Sequence, residues 1–253
     1  MRLADHTTTT AAEALESVDV AVVPVGSTEQ HGPALPLGTD FITADAFAEA
    51  VTDRDDVAVL PTIPVGVSEH HRQFHGTLWV SPETFEEYVT ETIEAVASHG
   101  VRKAVFVNGH GGNVNALERA ARRLRGDGTA FAPTWNWWES VPELSDDLFD
   151  SDGGHAGPAE TSLLLELAAS LVREDALEEA GDGVPESWGK SVHGASVGFD
   201  TIDFTPTGVV GDPTEGSRVA GEELFQAASE ELNALVDWLV DKPFDSLRST
   251  DHV

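Results

Sequence analysis

Three stretches of this chain set charge-bearing side chains beside glycine. The first is Gly26-Ser27-Thr28-Glu29-Gln30-His31-Gly32-Pro33, with Gly38-Thr39-Asp40 downstream. Glu29 and His31 are two residues apart, a spacing that puts both on one face of an extended segment. Asp40 returns to them only if the loop folds on itself, and Gly32, Pro33, Pro36 and Gly38 suit such a fold. A carboxylate, an imidazole and a second carboxylate converging at a strand end is metal-site chemistry. The same stretch also reads as a polar loop whose Asp40 caps the next helix. The second stretch is Asn108-Gly109-His110-Gly111-Gly112-Asn113. Its glycines admit a metal or substrate close to the backbone, or else form an anion loop with His110 incidental. The third, His155-Ala156-Gly157-Pro158-Ala159-Glu160-Thr161-Ser162, adds an imidazole and a carboxylate. As a local motif it is also an acid at a helix start, where the helix dipole favours it.

The elements that must position these residues alternate. Residues 18–25 form a continuous apolar run, as in a parallel strand buried on both faces. Residues 41–51 have helical spacing, and 57–60 read as a second strand. A long polar loop over 64–77 follows, and loops of that length are usually functional. Ser81 and Pro82 signal a helix start, Phe85, Val89, Ile93 and Val96 its buried stripe, and Gly100 its end. Residues 104–107 predict a strand and Asn113 a cap for the next helix, with Leu117, Ala120 and Leu124 inward and Gly126 as its end. A strand over 129–133, a loop holding Trp135, Trp137 and Trp138, and an acidic irregular stretch over 140–154 come next. A helix from 155 buries Leu163, Leu164, Leu167 and Leu171. Residues 181–212 predict irregular chain or a short hairpin, and 216–240 a last helix with Leu224, Ala228, Leu232, Leu235 and Leu239 inward. The pattern is α/β with a largely parallel sheet, helices on both faces, and one domain over 1–253. Strand ends then share one edge, so the three stretches meet there.

The chain has 253 residues and no cysteine, which excludes disulfides, thiolate ligands and cysteine nucleophiles. No apolar run reaches the roughly 20 residues of a membrane helix, and no secretory signal is visible, so a cytoplasmic location is expected. Asp and Glu number 45 against 14 Lys and Arg, a formal net charge of −31. The acids are spread between apolar positions, which argues against disorder and points to a salt-adapted, halophilic protein. Nucleic acid and anionic membrane surfaces are excluded as partners on charge.

Together, and in this order, the three motifs closely resemble the creatininase (creatinine amidohydrolase) family over roughly residues 15–240. The resemblance implies a three-layer α/β/α sandwich and two divalent metal ions (zinc, manganese or iron) that activate a water against a non-peptide C–N amide bond. By motif position Glu29 and His110 would hold one metal, His31 the other, and Asp40 would bridge them. Glu160 would supply the remaining carboxylate and share in catalysis, since Gly112 stands where creatininase proper has a ligand Glu. His155 matches the proposed proton-transfer histidine; Ser68 and Gly111 fall where substrate is contacted. Ser151 offers no counterpart to the tryptophan that closes over creatinine. Val65-Gly66-Val67-Ser68-Glu69-His70-His71 and Phe74-His75-Gly76-Thr77 are similar to archaeal members. Some of these deformylate a formylaminopyrimidine ribonucleotide in riboflavin and deazaflavin cofactor biosynthesis, the favoured substrate here. Trimming of a modified peptide, creatinine hydrolysis and a non-catalytic metal- or nucleotide-binding regulator are the alternatives. The expected partners are a small-molecule amide and further copies of the chain, as the family often forms oligomers, frequently hexamers. His70, His71 and His75 are expected to line the substrate loop or face solvent, and His6, His99, His193 and His252 to be structural or on the surface. The tryptophans are expected in the core or the pocket wall, with Trp135 or Trp138 as the ones to flank a flat substrate; a phosphate would need cationic groups, for which Arg72 or Lys190 are the candidates although no motif positions them.

Overall fold

The computed structural model describes residues 1–151, 154–185 and 187–250; His252 lies outside them. The sheet has the order β2-β1-β3-β4 and every pair is parallel: β1 (Val20–Val25), β2 (Val57–Val59), β3 (Lys103–Asn108) and β4 (Thr134–Asn136). Every residue of β1 and β3 is buried. Successive side chains point to opposite faces, so Val20, Val22, Val105 and Val107 enter one core and Ala21, Val23, Val25 and Phe106 the other.

Helices α3 (Pro82–Ser98) and α4 (Val114–Gly126) cover the second core through Phe85, Val89, Ile93, Leu117, Ala120 and Leu124. The short α1 (Thr8–Leu15) lies at its edge and has no buried residue. Ser81 Oγ accepts from the Thr84 amide and Pro82 takes the first position of α3, while Gly100 at φ +99° lets the chain leave it. On the other face lie α2 (Thr39–Glu49), α7 (Pro158–Leu167) and α9 (Arg218–Asp241). The buried stripe of α9 is Leu224, Ala228, Leu232, Val236 and Leu239; Val236 takes the place expected of Leu235 because steps of four from Leu224 lead to it. The layers are therefore α/β/α, as the pattern and the family resemblance imply.

Some local expectations shift. The strand expected over 129–133 lies at Thr134–Asn136, and only Phe131 bridges Lys103 before it. Pro133 accepts from the Phe106 amide but has no amide hydrogen of its own, so regular pairing begins after it. Trp135 is in β4 and the next two tryptophans open α5 (Trp137–Ser140), followed by α6 (Pro142–Leu148) in the acidic stretch. Leu171 sits beyond α7 in a separate turn and is exposed. Asn113 makes no side-chain cap; it bridges two loops instead. Beyond the turn α8 (Leu177–Ala180), a two-stranded hairpin over 191–196 is the hairpin expected there.

Candidate active site

Four strand ends open on the same edge, one more than the motifs announced: the loop after β2 joins those after β1, β3 and β4. The β1 loop folds back as its glycines and prolines require, with Glu29 N donating to Leu37 O at 2.9 Å. This brings Asp40, in the first turn of α2, under Glu29 and His31. Two glycines make the approach possible: a Cβ on Gly26 would strike the Phe41 backbone, and one on Gly109 the Asp40 carbonyl oxygen. Asn108 then shapes the β3 loop, accepting from His110 N at 3.1 Å and donating to His110 O at 2.9 Å. Asn113 ties the loops together by donating to Gly26 O and accepting from Val67 N.

Glu29, His31, Asp40, His110, His155 and Glu160 converge. Asp40 has one oxygen on each side of the cluster: Oδ1 lies 3.0 Å from His31 Nε2 and Oδ2 3.2 Å from His110 Nδ1. His110 Nδ1 is also 3.2 Å from Glu29 Oε1, and Glu160 Oε2 is 3.8 Å from His31 Nε2. The far ring nitrogens are engaged: His31 Nδ1 with Glu29 O at 3.1 Å, and His110 Nε2 with Val67 O at 3.0 Å. That pattern holds an imidazole with its other nitrogen free to ligate. Both Glu29 oxygens and Asp40 Oδ2 are buried without a hydrogen-bond partner. Orphaned carboxylate oxygens facing imidazoles fit a divalent cation, which would partner all of them.

The electrostatics fit the same reading. Burial by itself would raise Glu29, but the His110 imidazole outweighs it and holds the carboxyl below its usual range. Burial would likewise raise Asp40, yet His31 and His110 hold it far down. Against the penalty of burial, Asp40 lifts His31 to about 10 and Glu29 lifts His110 well above its ordinary value. Protons on these two rings supply the positive charge that a cation would otherwise bring. Burial, reinforced by the His31 charge, pushes His155 down to about 4, so its ring is neutral at pH 7. Burial lifts Glu160 to about 7, with His31 opposing the shift.

A cavity of about 690 Å³ opens over the cluster. Gly111 lines it, whereas Ser68 lies sealed beneath, its Oγ 2.5 Å from Ser27 Oγ and 3.1 Å from His110 Nε2. Trp138 lines it with Trp137, but Trp135 is buried edge-on against Phe47 in the core. Arg72 and Lys190 stand away from the cavity, and Arg72 is paired with Asp200 at 2.6 Å. His70 and His71 line it; His75 is exposed. His71 was missed as part of the cluster itself. It is fully buried, with Nε2 3.4 Å from Glu29 Oε1, and its place after a strand end was the one signal available. Trp188, from the stretch with no periodicity, was missed too; its ring stands edge-on to His71 and His155.

Residues 4–236 match the family description "Creatinine amidohydrolase". The chain belongs to the creatininase family. It is accordingly a C–N-directed amidohydrolase. It is 36% identical over 214 residues to the mycofactocin precursor peptide peptidase of Mycobacterium ulcerans, covering 81% of this chain and 79% of that one. A 2-amino-5-formylamino-6-ribosylaminopyrimidin-4(3H)-one 5'-monophosphate deformylase of Methanothermus fervidus is 27% identical over 146 residues, 57% of this chain and 54% of that one. The deformylase likeness is thus the weaker of the two. A solved creatinine amidohydrolase superposes with TM-score 0.79 and 25% identity, over 96% of this chain and 98% of that one. Creatininases solved in a Zn-Zn form and a Mn form share the fold at 24% identity and the same TM-score.

Proposed function

We propose that the chain is a two-metal amidohydrolase acting on an amide of a short, modified peptide. Glu29, His110 and Asp40 would hold one divalent ion, and His31, Glu160 and Asp40 the other. The observation that carries this is Asp40, whose two oxygens face different imidazoles at 3.0 and 3.2 Å. Nitrogen and oxygen donors of this kind suit zinc, manganese or iron alike. Such ions supply a water acidified toward neutral pH and an electrophile for the amide carbonyl. His155 turns Nδ1 toward the cluster, 3.7 Å from Glu29 Oε1. Neutral at pH 7, that nitrogen takes a proton from the attacking water and returns it to the leaving nitrogen. Trp137, Trp138, Trp188, Phe199 and Phe204 wall the cavity, grip an apolar or aromatic group and exclude bulk water.

The walls also argue about substrate. Among the described lining residues there is no lysine or arginine, and Asp146 is present. A phosphorylated nucleotide would find no lysine or arginine for its phosphate among these described lining residues, which disfavours the formylaminopyrimidine reading. Creatinine would fill a small part of a cavity this size. A peptide end with large side chains suits both volume and lining, and the mycobacterial relatives carry the name of a peptide peptidase. The test is turnover in molar KCl with added manganese or zinc on mycofactocin precursor peptide, creatinine and the formylaminopyrimidine nucleotide. Peptide cleavage is the expected result. Formate release alone would replace the substrate, and bound metal without turnover on any of the three would favour the non-catalytic regulator.

A further inference from the structure

Gln30 sits between two proposed ligands, and its side chain is a hub. Its amide nitrogen lies 2.9 Å from each of three atoms: Gly208 O, His71 Nδ1 and His155 Nε2. Its amide oxygen accepts from Gly32 N at 2.9 Å, and that bond together with Gly208 fixes which end of the amide is which. The approach is built in: Gly208 has φ +85°, and a Cβ there would overlap the Gln30 amide oxygen.

Two amide hydrogens must serve three atoms. Gly208 O can only accept, so one hydrogen is taken and the other goes to one of the imidazoles. Given to His71 Nδ1, it leaves His155 Nε2–H to donate to the Gln30 main-chain carbonyl at 2.9 Å. One mismatch remains, the amide against His155 Nε2–H. Given to His155 Nε2, it sets that nitrogen's lone pair against the Gln30 carbonyl and leaves His71 Nδ1 beside the amide without a hydrogen from it, so that two of the four contacts are hydrogen bonds instead of three. Buried polar groups avoid such contacts, so the first arrangement prevails. Thr201 Oγ1, 3.0 Å from His71 Nδ1, is a rotatable hydroxyl that accommodates it.

We propose that Gln30 is a positioning residue that sets the tautomers of His71 and His155 together. His71 is held with its proton on Nε2, which lies 3.4 Å from Glu29 Oε1 without a hydrogen bond between them, and so does not serve as a metal ligand although Glu29, His71 and His155 cluster closely. His155 is held with a bare Nδ1 toward the reacting atoms. The part concerning His155 rests on the hydrolase reading, but the tautomers are readable without metal or substrate.

The test is ring-nitrogen NMR at pH 8 on the full chain labelled with ¹⁵N-histidine, metal-free and zinc-loaded, with Gln30→Glu and Gln30→Met alongside. In the unsubstituted protein both rings are expected to carry hydrogen on Nε2. In Q30E a carboxylate faces His71 Nδ1, and the His71 proton is expected there. In Q30M a mixture of His71 tautomers is expected. An Nδ1–H on His71 of the unsubstituted protein overturns the proposal, and so does a His71 ring unchanged in Q30E. A far-UV circular dichroism spectrum matching that of the unsubstituted protein reports that a variant is folded. Should Q30E fail to fold, Q30M decides, and an unchanged His71 in it also overturns the proposal. Lack of turnover on every substrate with these tautomers in place would count against the hydrolase reading and leave this one standing.

Discussion

At Asp40 and His155, single substitutions separate holding a metal from using it. Asp40→Ala removes a group facing both halves of the cluster and leaves His31 with Glu160 at 3.8 Å and His110 with Glu29 at 3.2 Å as their remaining carboxylates. Metal content by elemental analysis should fall below one ion per chain and turnover by more than about a hundredfold. His155→Ala should keep its metal and lose about a hundredfold or more in kcat, the usual scale of a positioned proton carrier. Full metal content in the first variant or an unchanged kcat in the second would remove the assigned role. A pH experiment follows from the same residues. His31 is lifted from 6.5 to about 10, so its bound proton stabilises the metal-free fold fully below 6.5 and stops doing so as pH rises through 10. An incoming cation must displace that proton, so metal affinity should climb between pH 7 and 10. The gap in Tm between loaded and metal-free protein should widen over the same interval; a gap constant with pH would mean that His31 is not displaced. These residues were legible because acids and imidazoles beside glycine at strand ends are unusual in a core. His71 was not, because its burial depends on how the β2 loop and the segment at Thr201 close over it.

At the scale of elements, the site depends on α2 starting hard against the β3 loop. Gly109→Ala touches no proposed ligand, yet its Cβ would strike the Asp40 carbonyl and push the start of α2 away. Overpacking of this kind costs about 1–3 kcal/mol, and an ångström of displacement at Asp40 is enough to spoil a shared carboxylate. The expected outcome is a folded variant, by circular dichroism, with weakened zinc binding in calorimetry. Gly111→Ala, where a Cβ meets nothing, is the control that should bind normally. Native zinc affinity in Gly109→Ala would mean that the contact relaxes without moving Asp40. This tight contact was not visible in the sequence, whereas β1, α3 and the Ala104 to Val107 centre of β3 were: their residues are uniformly apolar or striped, and local pattern settles them. β4 was placed too early because Ala130 and Ala132 are buried without belonging to a regular ladder. The Trp188 segment had no period to read, since its side chains are placed by the cavity and not by a sheet or helix face.

For the whole molecule the governing quantity is charge. A formal −31 sits on a fold whose cores are ordinary in composition, so the acids are carried on the outside. Helix α9 illustrates the arrangement: Leu224, Leu232 and Val236 are buried while Glu222, Glu223, Glu230, Glu231 and Asp237 are exposed, and Arg218 is its one cation. Like charges on neighbouring turns repel. In dilute buffer, with a Debye length of about 30 Å at 0.01 M, repulsion also sums across the molecule; at 1 M it is cut to about 3 Å and only nearest neighbours remain. The folded state concentrates this charge and the unfolded chain disperses it, so salt should favour the fold. Raising KCl from 10 mM to 2 M should raise Tm by about 10 °C, equivalent to roughly 5 kcal/mol for a chain of this length. The proposed metal centre should follow the opposite course, because screening weakens the attraction between the acidic surface and an approaching divalent ion and slows capture. Scanning calorimetry on metal-free protein and stopped-flow zinc uptake, run along one KCl series, measure the two separately. A Tm indifferent to KCl would show that the acidic surface leaves the fold unstrained. Uptake that accelerated with salt would mean that opening of the fold, not long-range attraction, controls entry to the site.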